Sequence, residues 1–133
     1  MIFIAAATLF AVLALQFVRF YRVKCGSMLP TLRDGDIVVA FRRFSPAKVG
    51  DIVTFKCSDG RTLIKRVTGL SGDRVTSGPL HRVPKEHLFV MGDNRQDSMD
   101  SRHFGPIESS SVKFVVRKLL GNVYDNDRKT VLN

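Results

Sequence analysis

From Ile2 to Val18 the chain reads IFIAAATLFAVLALQFV, with no charge and only Thr8 and Gln16 to interrupt the apolar run. Such a segment has no polar face to turn toward water, so it lies in a bilayer, is removed, or is buried as a core helix. As a helix it reaches roughly 26 Å, a little short of a ~30 Å hydrocarbon core unless the arginines beside it snorkel. A removable signal peptide would have a charged leading segment and a small-x-small site after the apolar run. Here the leading charge is missing and the Ala-x-Ala, at Ala5 and Ala7, lies inside the run. The expectation is a transmembrane anchor over residues 1–18, with the signal peptide and the buried helix as alternatives. Arg19, Arg22 and Lys24 follow the span, and the positive-inside bias alone would put that side in the cytoplasm.

The anchor takes up part of the 44% hydrophobic content of the 133 residues. What remains is one small domain of roughly 110 residues, for which a compact sheet is the natural form. Net charge is +9, distributed as +5 over residues 1–50, +3 over 51–92 and +1 over 93–133. The positive charge is therefore densest beside the greasy block, which suits a domain resting on anionic headgroups better than one reading nucleic acid. Two cysteines, Cys25 and Cys57, are too few for a disulfide framework or a zinc site; one bridge or two free thiols remain open.

After Lys24, short β-rich runs alternate with turn residues. Asp36–Phe41 (DIVVAF), Asp51–Phe55 (DIVTF), Leu63–Val67 (LIKRV) and His87–Met91 (HLFVM) have strand length and composition. Asp59-Gly60 predicts a hairpin with a type I′ turn, which puts Lys65 on a strand. Val112–Leu120 reads as a strand, with a short helix as the alternative and Gly121-Asn122 as a turn. The expected organisation is mostly β: an anchor at 1–18, a β-domain at 19–124 and a polar tail at 125–133.

The stretch CGSMLPTL places Ser27 directly after the anchor's basic flank. A serine hydroxyl is a weak nucleophile until a neighbour accepts its proton. His81, His87 and His103 lie in polar, irregular contexts with no evident partner and read as surface residues. A lysine serves as base if burial or a nearby cation lowers its pKa from about 10.4 toward neutrality. Lys65 lies between Leu63, Ile64 and Val67, and on a strand it faces away from Arg66, so one of the two cations points inward. A solvated edge lysine is the alternative reading of Lys65.

Three motifs in order, GSMLPTL (26–32), IKRVTGLSGD (64–73) and VPKEHLFVMGDNRQDSMDSRHFG (83–105), closely resemble the type I signal peptidases, and the resemblance spans nearly the whole chain. It implies a bacterial-type minimal catalytic core, a small signal-peptidase-like β-fold behind one transmembrane helix. It implies a serine endopeptidase with a Ser/Lys dyad, Ser27 as nucleophile and Lys65 as general base, and no cofactor or metal. The serine matching Ser98 bonds the lysine in that family. Asp100 and Arg102 match positions that brace the site, while Gly92, Asp93, Asn94 and Arg95 match the start of the motif and hold its loop. Many members have a serine two residues before the nucleophile whose hydroxyl serves the oxyanion. Here that position is Cys25, whose thiol is a weak donor. Met28 and Leu29 would contact substrate or belong to the core. The 26 residues between Lys65 and Gly92 leave no room for a large inserted β-domain.

The resemblance further implies secretory preproteins as substrates, cut after small-x-small sites, and a bilayer as the other partner. The catalytic domain would face the extracytoplasmic side of a plasma membrane. A mitochondrial inner-membrane peptidase subunit with the same chemistry is the first alternative, and it leaves room for a partner subunit. An inactive membrane-bound interaction protein is the second. A self-cleaving DNA-binding repressor shares the Ser/Lys core, but the 24 residues before Cys25 are mostly apolar and cannot supply a DNA-reading domain, so no nucleic-acid partner is expected.

Overall fold

The computed structural model of the protein describes residues 1–78 and 81–122. The polar tail expected at 125–133 lies outside them. The order of elements is α1 (Ile2–Phe17), β1 (Val18–Arg22), β2 (Asp36–Arg42), β3 (Ile52–Lys56), β4 (Thr62–Leu70), β5 (His87–Met91), α2 (Ser101–Phe104), β6 (Ile107–Glu108) and β7 (Phe114–Asn122). The described strands form one antiparallel seven-stranded sheet in the order β1-β2-β7-β3-β4-β5-β6.

Each predicted strand run is a strand, and Val112–Leu120 resolves as β7 because it pairs on both sides, with β2 and with β3. Gly121 and Asn122, expected as a turn, extend that strand opposite Ile37 and Asp36. Val18–Arg22 form a strand that was not expected, β1 along β2, which takes Val18 out of the anchor expected over 1–18. Its mixture of arginines and aromatics has no clean alternation, since an edge strand pairs on one side only.

The hairpin between β3 and β4 is present, but its turn is not type I′. Cys57 N–H donates to Arg61 O (2.8 Å) and Gly60 N–H to Cys57 O (2.9 Å), while Gly60 alone in the loop has positive φ (85°). This is a type I turn closed by a left-handed glycine, in which Asp59 keeps an ordinary conformation.

Alternation along β4 feeds different cores. Val67 and Leu63 pack with Val53, Phe55, Leu88, Val90 and Val115, whereas Ile64 packs with Val23, Met28, Leu32 and Val38. A third cluster joins Val83, Phe89 and Met91.

α1 contributes nothing to these cores: none of its residues is buried. It ends at Phe17, because Val18 is already extended. No helix among the described residues is long and apolar enough to cross a membrane by the ordinary length criterion.

Candidate active site

The segment between β1 and β2 is fixed from below by apolar anchors. Met28 and Leu32 sink into the cluster with Val23 and Val38, and Leu32 N–H closes a turn onto Met28 O (2.9 Å). Met28 is therefore core, while Leu29 is exposed. At its entry Cys25 has φ 69° and its N–H donates to the Asp34 carboxylate (2.8 Å). The Cys25 thiol is exposed and free. This bend presents Ser27 to β4.

Lys65 stands on β4 opposite the fully buried Val53 and is only 3% exposed. Its Nζ donates to Ser27 Oγ at 2.8 Å. Burial lowers the Lys65 pKa from its ordinary value, against a smaller upward pull from Asp100, Cys57 and Cys25. A lysine so placed spends more of its time neutral at a given pH, and a neutral amine beside a hydroxyl can take the hydroxyl's proton.

Arg66 turns the other way, as strand alternation requires. Its guanidinium grips Asp93 through two parallel bonds (Nε to Oδ1 2.8 Å, Nη2 to Oδ2 2.7 Å), and Thr31 Oγ1 donates to the same carboxylate (2.6 Å). Burial alone would raise the Asp93 pKa, but these donors and nearby Arg95 outweigh it and hold the group ionised. Asn94 clamps the Ser27 segment directly, through its N–H to Ser27 O (2.9 Å) and Nδ2 to Gly26 O (3.0 Å). Gly92 must lack a side chain: a Cβ there would lie 2.1 Å from Ser98 Oγ and 2.5 Å from Ser27 O. Arg95 is more peripheral, with Nη1 3.5 Å from Met91 Sδ. The sequence reading had missed Thr31 and the grip of Arg66. The signal for both was that an inward Lys65 obliges Arg66 to find an acid on the other side.

Asp100 is fully buried. It accepts from Arg102 Nε (2.9 Å) and Nη2 (3.0 Å), from Gly92 N–H (3.0 Å) and from Arg102 N–H (3.1 Å). Burial pushes its pKa up, and the donors together overcome that and hold it at about 2. Asp100 also caps α2. Ser98 comes to the same place, although not in the expected bond: its Oγ is buried with no hydrogen-bond partner, and none is formed to Lys65. The hydroxyl lies close enough to Asp100 to favour its ionised form.

Ser27 and Lys65 open into a cleft of about 910 Å3, walled by Tyr21, Cys25, Phe55, Leu63 and Met99. Cys57, whose pKa is raised chiefly by burial, also lines it, and no histidine does. A deep groove with a buried amine bonded to a hydroxyl, and a carboxylate–arginine brace behind it, is the layout of a nucleophilic hydrolase.

The sequence profile described as Signal peptidase, peptidase S26 matches residues 1–78 and 76–118. The chain belongs to the peptidase S26 family. Among its S26 relatives, Signal peptidase I V of Bacillus subtilis is 32% identical over 137 aligned positions, covering 72% of this chain and 82% of that one. The mitochondrial ATP-independent inner membrane protease subunit 1a of Arabidopsis thaliana is 40% identical over 102 residues, covering 65% of this chain and 61% of that one. The mitochondrial inner membrane protease subunit 1 of Homo sapiens is 44% identical over 93 residues, covering 61% and 56%. The S26 chain described here thus spans under two thirds of the mitochondrial relatives it matches.

Proposed function

We propose that this S26 chain is a membrane-bound serine endopeptidase that removes signal peptides from secretory preproteins after small-x-small sites. The observation that carries the reading is the 2.8 Å bond between the buried Lys65 Nζ and Ser27 Oγ. Ser27 Oγ attacks the scissile carbonyl as Lys65 takes its proton. Lys65 returns that proton to the departing amine, leaving an acyl ester on Ser27, and water activated by the same lysine hydrolyses the ester. The Ser27 N–H is the first donor to the oxyanion, and the loss of such a donor typically costs about 100-fold or more in rate. Ser98, Asp100 and Arg102 support the lysine side of the site. The 92–95 segment fixes the serine side.

α1 is the membrane anchor in this reading. Its 16 residues cover roughly 24 Å, and continuing the span needs snorkelling from Arg19 and Arg22 or a thinned bilayer. The catalytic domain then stands on the extracytoplasmic face of a plasma membrane. The identities of 40% and 44% to mitochondrial inner membrane protease subunits support a second reading, a subunit of such a protease with the same dyad.

The test is cleavage of a purified preprotein in lipid by the wild type, Ser27→Ala and Lys65→Ala, with the cut mapped by mass spectrometry. Cleavage after a small-x-small site by the wild type, lost in both variants, is expected. Cleavage that survives Lys65→Ala would assign the base elsewhere.

A further inference from the structure

A second recess, of about 450 Å3, lies outside the catalytic cleft and is lined by Arg42, Arg43, Phe44, Pro46, Ser110 and Lys113 among others. It adjoins the point where α1 joins the sheet. Phe17, the last residue of α1, packs its ring against that of Phe44 at 5.8 Å, and Phe44 is 81% exposed. Phe41, paired with Val18 at the start of β1, is exposed as well. The Arg19 guanidinium lies 5.0 Å over the Phe114 ring, and Phe114 pairs with Arg42. Four cations and three exposed aromatic rings therefore surround one end of one helix.

None of these cations has a carboxylate partner among the described residues. Arg43 is half-buried and gives its donors to the Val112, Ser45 and Ser109 carbonyls, which leaves its charge without a described counter-charge. Among the described residues no acidic side chain lines the recess; Glu108, the nearest of them in sequence, is exposed and outside it. Arginines elsewhere in the molecule do find acids, Arg66 with Asp93 and Arg102 with Asp100. A basic recess without a described counter-charge, ringed by exposed aromatics, suits the depth where headgroups meet acyl chains, with rings in the interface and cations on phosphate.

We propose that Arg42, Arg43 and Lys113 form a seat for an anionic phospholipid headgroup of the bilayer that holds α1. The inference rests on the anchoring of α1 in the reading above. The seat pins the β-domain against the membrane at the α1–β1 junction. β1 runs from that junction to Tyr21 and Arg22 on the wall of the catalytic cleft, so a domain held there keeps its cleft at a fixed height over the bilayer.

The chain contains no tryptophan, so Phe44→Trp gives a single emitter at the seat. The full chain carrying it is reconstituted into phosphatidylcholine vesicles with and without phosphatidylglycerol, and its emission and quenching by brominated lipid are read. Phosphatidylglycerol should shift the emission to the blue and deepen quenching. Adding Arg42→Gln and Lys113→Gln should lower the docked-to-free ratio roughly 25-fold, about fivefold per cation. Both side chains are exposed and have no acidic partner among the described residues; Arg43 is left in place because its carbonyl bonds hold the loop. Inorganic phosphate added to neutral vesicles should leave the emission unchanged.

Emission indifferent to phosphatidylglycerol, or a response kept by the double variant, overturns the seat. A response reproduced by inorganic phosphate overturns the lipid assignment in favour of a soluble anion. Preprotein cleavage is followed in the same vesicles, so a failed peptidase reading appears as lost cleavage with the lipid response intact. Flotation with neutral vesicles tests the anchor separately.

Discussion

Lys65 is held where a charge is costly, and its chemistry and its effect on stability are two sides of one displacement. Its pKa is lowered in the folded chain, so between that value and the ordinary 10.5 the unfolded chain binds more protons. Stability therefore rises with pH across that window, and the penalty for burying the ammonium is full below it. Lys65→Met keeps the bulk and removes the charge. It should abolish cleavage yet raise Tm at neutral pH, with the gain fading as pH approaches 10.5; thermal melts at several pH values check this. Cleavage by the wild type should increase with pH through the folded Lys65 pKa, since only the neutral amine accepts a proton. Asp100 behaves in the opposite sense. Held at about 2 against 3.8, it contributes stability that is present above 3.8 and lost as pH falls through 2. Asp100→Asn leaves Arg102 without its partner and should cost about 3 kcal/mol in denaturant titration at pH 7. The acid limb of the stability profile should flatten in the same variant.

Between elements, the decisive contacts run from the segment after β5 to the loop before β2. Asn94→Ala removes the bond to Gly26 O and leaves that carbonyl without its amide donor, a loss of about 1 kcal/mol. Because the backbone N–H of residue 94 still holds Ser27 O, the variant should fold and lose kcat more than it raises KM. Gly92→Ala is harsher, since its Cβ meets backbone as well as the Ser98 hydroxyl. It should displace Ser27 and reduce cleavage at least 100-fold while circular dichroism retains the sheet. Strand positions were legible in advance because DIVVAF, DIVTF and HLFVM are apolar, β-branched and bounded by turn residues. β1 was not, since one-sided pairing asks little of VRFYR. The two ends of the dyad were legible as residue types, but their meeting was not derivable from local pattern. Ser27 and Lys65 lie 38 residues apart, and their contact depends on strand order, which pairing between distant segments decides. The unpaired Ser98 hydroxyl likewise departs from the expected bond to Lys65, because side-chain aim depends on packing around Gly92.

At the scale of the whole chain, one strand joins two separate pieces. β1 and β2 pair with each other, β3 through β6 form a second run, and β7 alone lies between β2 and β3. Ser27 comes from the first piece and Lys65 from the second. Ending the chain before Phe114 should leave both residues present and cleavage absent, and the full chain should recover it; a preprotein assay on the two forms decides. Long-range pairing of this kind forms late, after the entropy of closing a large loop has been met. A ribosome delivers β7 after every other described strand. Until β7 is in place, the pieces that carry Ser27 and Lys65 lack the strand that joins them in the sheet, so in the proposed reading cleavage waits on the last of the described strands.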